Sequence, residues 1–232
     1  MAIVVRIAPN PELYLRDPQA TDLGQRLLDT GIAQLNELGL EGFTFKKLAT
    51  ATGCTEASVY RYFRSKQQLL QYLVAYYWDW VHHLINTAVA LEVEPRRRLE
   101  VAIHALTQPM TSNPAVPYID ERLLHLVVLT EGTKAYHLKA VDAQNDKGIF
   151  VGYKSLVGDL AQLILAVDAD FPYPRALASS LFEMAHNHTY FAEHLPKLTD
   201  IEHGGPTQQQ LESMLKFWVT RLTSPVPVAS PA

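Results

Sequence analysis

The chain has one cysteine, Cys54, so it cannot close an internal disulfide and requires no oxidising compartment. It also lacks any uncharged apolar run approaching the roughly 20 residues needed to cross a bilayer. The opening Met-Ala-Ile-Val-Val stretch is too short for a signal peptide and is interrupted by Arg6, so the cytoplasm is the expected location. No G-x-S-x-G elbow, phosphate loop or dinucleotide fingerprint occurs, which removes the enzyme classes those motifs mark. Excess positive charge is missing too: 20 Lys and Arg stand against 24 Asp and Glu, a net charge of −4. That balance argues against a protein that coats nucleic acid indiscriminately, while leaving room for a local basic patch. Nine histidines are present, but His186, His188 and His194 lack the four-residue spacing of a helical metal pair. Neither metal nor cofactor is expected.

What is present is ordinary globular composition, with 48% hydrophobic and 19% charged residues over 232 positions, enough for one large domain or two small ones. Residues 1–20 hold Pro9, Pro11 and Pro18 without a helical period and read as an irregular arm. From Asp22, the residues Leu23, Leu27, Leu28, Ile32, Leu35 and Leu38 recur at three- and four-residue steps, which predicts a helix capped by Asp22 and stopped by Gly39. Thr44, Thr55 and Ser65 are successive hydroxyl caps, with Gly53 between the first two, and Gln68 completes a capping box with Ser65. They predict short helices over 45–51 and 56–63, then a long one from Ser65 to about Leu91. Further helices are expected over 95–107, 119–130, 149–167, 174–194 and 207–222, with a disordered tail over 223–232. The fold class is all-α: an N-terminal three-helix helix-turn-helix domain over 21–68, joined by a long helix to a C-terminal helical domain over 69–222.

Charge and chemistry concentrate in the head. Between Thr44 and Lys66 there are five cations (Lys46, Lys47, Arg61, Arg64, Lys66) and one acid, Glu56. A helix, a glycine turn and a second helix form the unit whose second helix enters a major groove N-terminus first. Thr55, Glu56, Ala57 and Ser58 then lie nearest the base edges. Tyr60, Tyr62 and Lys66 lie at the rim, where they bond phosphates, with Tyr62 the more exposed of the tyrosines. Arg61 falls on an outward face, and Val59 and Phe63 share the inward one.

The stretch FTFKKLATATGCTEASVYRYFRSKQQLL resembles the DNA-binding domain of the TetR/AcrR family of bacterial transcriptional regulators. The resemblance covers about residues 22 to 74 and lies in Gly39, Thr44, Leu48, Ala49, Gly53, Thr55, Tyr60, Tyr62, Phe63, Ser65, Lys66 and Leu69. Thr52, Cys54 and Ala57 depart from its usual pattern without disrupting it. The resemblance implies that Thr44 and residues 55–58 lie near the groove and that Tyr60, Tyr62 and Lys66 contact phosphates. Lys46 joins them as a candidate DNA contact. It further implies a homodimer formed by the last two long helices, for which Leu177, Leu181, Met184, Phe217, Trp218 and Leu222 are candidates. An effector pocket among the middle helices is implied as well, with Trp78, His82, His104, His125, Tyr136 and Tyr153 as candidate lining. The expectation is a ligand-responsive regulator, a repressor, on a palindromic operator. The alternatives are a small-molecule-binding or scaffold protein with a degenerate head, since residues 1–80 balance eight cations against eight acids, or an all-α enzyme.

Overall fold

The computed structural model describes residues 5–108 and 111–224. Among these it is helical throughout: α1 (Asp22–Gly42), α2 (Phe45–Thr52), α3 (Glu56–Tyr60), α4 (Lys66–Val89), α5 (Pro95–Leu106), α6 (Glu121–Glu131), α7 (Val141–Asp146), α8 (Val151–Val167), α9 (Pro174–His194) and α10 (Thr207–Leu222). Short 3-10 turns at Pro11–Leu13, Pro18–Ala20, Gly132–Ala135 and Pro196–Leu198 complete the description. Residues 225–232 of the expected tail lie outside the described residues. The two tail residues that are described end α10 in order, with the Thr223 hydroxyl donating to Val219 O at 2.8 Å.

The chain packs as two units. Of the described residues, one unit comprises 5–82 with 111–154 and the other 83–108 with 155–224. In the first, the apolar stripe of α1 buries Leu27, Leu28, Ile32 and Leu35 to 1% exposure or less. Full burial of one such side chain is worth about 1.5–3 kcal/mol. The α4 residues Leu69, Leu70, Tyr72, Leu73, Val74 and Tyr76 are each fully buried. An apolar circumference of that kind suits a helix surrounded by neighbours.

The arm is irregular but anchored. Leu13 is fully buried, Leu15 N donates to Tyr62 O at 2.8 Å, and Gln19 Nε2 donates to Ile7 O at 2.7 Å and the Tyr72 hydroxyl at 2.8 Å. Gly24 permits the docking of the Pro18–Ala20 turn on α1: a β-carbon there would stand 2.2 Å from Pro18 O, well inside van der Waals contact. The cap of α1 is Thr21 rather than the expected Asp22, its hydroxyl accepting from Gly24 N at 3.1 Å. Both residue types cap well, and the extended backbone of Thr21 decides between them. Helical dihedrals break at Gly39 (φ 63°), the expected stop, and one further turn runs to Gly42.

In the second unit α9 and α10 pack on one another and α10 packs on α5. The bounds of both α9 and α10 match those expected from the sequence. A polar seam joins α5 to α10, where His104 Nδ1 lies 2.8 Å from Glu212 Oε2 and Lys216 Nζ donates to Glu212 Oε1 at 2.5 Å. Although burial raises the Glu212 carboxyl, Lys216 and His104 together hold it below its ordinary range.

Candidate nucleic-acid interface

The head is built by local signals. Thr44 caps α2, accepting from Lys47 N at 3.2 Å, and Thr55 caps α3, accepting from Ser58 N at 3.2 Å. Between them Gly53 takes the left-handed conformation (φ 67°, ψ 33°) that turns the chain from α2 into α3. Ser65 accepts from Gln68 N at 3.2 Å, while Gln68 Oε1 accepts from Arg64 N at 2.7 Å. The reciprocal capping pattern is thus present, displaced by one residue on the return bond.

This arrangement leaves the leading edge of α3 open. Thr44, Lys46, Thr55, Glu56, Ala57, Tyr60 and Arg61 are exposed and Ser58 is half-buried. Tyr60 stands 48% exposed, its ring packed edge-on against Phe45 at 5.1 Å. Among the described residues Lys46 and Arg61 have no ion-pair partner, so both cations are available to a ligand. Val59 and Phe63 are fully buried on the inner face, as their spacing predicts.

Two rim residues differ from expectation. Tyr62 is not the exposed tyrosine: it is 2% exposed, its hydroxyl lies 2.8 Å from Thr21 Oγ1, and the Arg16 guanidinium covers its ring at 5.5 Å. The reason is that α3 ends at Tyr60 rather than Phe63, so Tyr62 sits in the following turn and points inward. Lys66 is half-buried, and its ammonium donates to Leu40 O at 2.7 Å and to Glu41 O and Phe43 O at 3.3 Å each. It neutralises the carbonyl end of α1 and fixes α4 against that end. Sequence reasoning also missed Lys47, whose ammonium donates to Gly42 O at 2.8 Å. Nothing in residue spacing distinguishes a lysine bound to a helix end from one free for a phosphate.

The six candidate pocket residues separate. Trp78 stacks on Tyr153 at 4.5 Å, and Tyr136 lies 5.9 Å from Trp78 and 6.3 Å from Tyr153, forming one aromatic cluster of α4, α8 and the segment between. His125 is buried, its Nδ1 2.9 Å from the Tyr77 hydroxyl. His82 is half-buried near Asp79, whose carboxyl burial pushes up to about 6 while His82 draws it down. His104 belongs to the second unit, where it is exposed and bonded to Glu212 on α10. Among the described residues no group of three or more His, Cys, Asp or Glu is placed to hold a metal.

The candidate interface residues separate too. Leu177 and Leu181 are buried within their own unit, at 8% and 0% exposure, and act as its core. Met184 and Trp218 are half-buried, whereas Phe217 and Leu222 are 58% and 54% exposed along α10.

Among the described residues a three-helix head with a helix-turn-helix at α2 and α3 is followed by a long helix and further helices. Residues 27–73 match the family described as bacterial regulatory proteins, tetR family. No curated protein matches the chain in sequence. Solved structures match its fold. A regulator of the tetR family from Rhodococcus RHA1 shares 15% identity at a TM-score of 0.65, over 89% of this chain and 99% of that one. AibR, solved in complex with isovaleryl coenzyme A and operator DNA, shares 18% at 0.59 over 87% and 100%. The ketosteroid transcriptional regulator KstR2 of Mycobacterium tuberculosis shares 15% at 0.57 over 87% and 94%. The chain therefore has the TetR-regulator fold.

Proposed function

We propose that the protein is a cytoplasmic, ligand-responsive transcriptional repressor that binds a palindromic operator as a homodimer. The observation that carries this reading is the open leading edge of α3, with the small residues Thr55, Ala57 and Ser58 flanked by the exposed cations Lys46 and Arg61 and the exposed Tyr60. Small side chains let a helix approach base edges closely, and cations with a tyrosine hydroxyl at the rim hold phosphates and set register. Glu56 at that edge accepts from a cytosine amino group when it reads sequence.

A lone helix-turn-helix covers too little duplex for tight specific binding, which is why such heads work in two-fold pairs. Phe217 and Leu222 supply exposed apolar surface for pairing through α10. Repression, the operator's symmetry and the response to a ligand rest on the family resemblance and on relatives such as AibR, which was crystallised with both an acyl coenzyme A and operator DNA. A ligand acts by binding one spacing of the two heads better than another, which shifts the population.

Fluorescence anisotropy of labelled duplexes from the DNA upstream of the protein's own coding sequence tests the reading. Binding to one duplex should exceed that to scrambled duplexes at least a hundredfold and weaken steeply with salt, and Thr55→Ala or Ser58→Ala should change the order of preference among sequences. Uniform weak binding to every duplex would refute it.

A further inference from the structure

Beside the first turn of α4 the amino-terminal unit holds a pocket of about 210 Å³ that the DNA-contact reading leaves unused. Glu12 of the arm, Arg64 before α4, Gln68 and Gln71 on α4, and Gln144 and Lys147 at the end of α7 line it. Its amide wall is braced. Gln68 Nε2 donates to Glu12 O at 3.1 Å while its Oε1 accepts from Arg64 N at 2.7 Å. Gln71 Nε2 donates to Ala135 O at 2.9 Å and to Gln144 Oε1 at 2.7 Å. Both bonds use the nitrogen. Among the described residues the Gln71 Oε1 accepts no hydrogen bond and is not sealed from solvent, so it is open to a donor in the pocket.

Charges of both signs stand around this wall with no ion-pair partner among the described residues: the Arg64 guanidinium, the Lys147 ammonium and the Glu12 carboxylate. A bare anion would satisfy the cations but meet Glu12, and a bare cation would satisfy Glu12 but meet Arg64 and Lys147. A molecule carrying both charges compensates all three. The volume lies below the roughly 300 Å³ at which drug-sized sites begin, which limits the occupant to about ten non-hydrogen atoms.

We propose that this pocket binds a small zwitterion the size of a free amino acid, its carboxylate held by Arg64 and Lys147 and its ammonium by Glu12 and Gln71 Oε1. Arginine provides the planar two-pronged grip on a carboxylate that makes such contacts specific. The site stands apart from operator binding, and its test needs no DNA.

Isothermal titration calorimetry on the full chain decides it, with L-glutamine and L-glutamate as probes and acetate, methylammonium and inorganic phosphate as controls. At least one amino acid should bind with a Kd on the order of 10–1000 µM, and each control at least tenfold more weakly. Glu12→Gln and Arg64→Gln should each weaken the amino acid tenfold or more. Both side chains are exposed, and the Gln68 bonds run to backbone atoms, so both variants should keep the parent circular dichroism spectrum. Absence of binding by either amino acid, affinity unchanged in both variants, or phosphate binding as tightly as glutamine would overturn the proposal.

Discussion

Glu121 is the residue on which pH acts most directly. It opens α6 at 3% exposure, and burial pushes its carboxyl up to about 7, with backbone hydrogen bonds from its own amide and Asn113 drawing it back. A raised carboxyl favours folding while protonated. That contribution is complete below the ordinary value of 4.5 and is lost as pH rises through about 7. Glu121→Gln, which mimics the protonated form, should therefore raise the thermal midpoint at pH 8 by a few degrees and leave it nearly unchanged at pH 5. Equal shifts at both pH values would show that burial of this charge is not the cause. The two head tyrosines make a second comparison. Tyr62→Phe removes the bond to Thr21 and should cost about 1 kcal/mol in urea denaturation. Tyr60→Phe should cost no measurable stability and should weaken DNA binding instead, because the residue is 48% exposed and its hydroxyl bonds to no group among the described residues.

Among elements, the turn between α2 and α3 is held by one backbone conformation. Gly53→Ala places a β-carbon in open space but at φ 67°, so the change should cost about 1 kcal/mol from backbone strain alone, read as a lower urea midpoint with an unchanged slope. Such elements were legible in the sequence because their causes are local: Thr44, Thr55 and Ser65 cap the helices they precede, and the proline at the start of α9 stands where its missing amide hydrogen is harmless. The end of α3 was not legible. Val59 and Phe63 keep helical spacing past the last helical residue, since the backbone still bonds from Phe63 N to Val59 O at 3.2 Å. That continuity hid the turn that buries Tyr62. The role of Lys66 was equally hidden, because Leu40, Glu41 and Phe43 reach it only through tertiary packing. The bond from His104 to Glu212 was hidden for the same reason, since 108 residues separate the two.

At the scale of the whole molecule, the account requires the second unit to pair two copies of the chain. Phe217→Glu places a charge on exposed apolar surface and should yield monomer mass by light scattering at micromolar concentration with the thermal midpoint of the monomer intact. Leu181→Ala, by contrast, should cost about 2–5 kcal/mol because that side chain is core. The measurement that bears most directly on the central claim is the salt dependence of DNA affinity for the parent and for Arg61→Ala. Arg61 is exposed, unpaired and beside the leading edge of α3. The predicted result is weaker binding to all duplexes and a slope of log affinity against log salt reduced by about 1. An unchanged affinity and an unchanged slope, in a variant that remains folded, would contradict it.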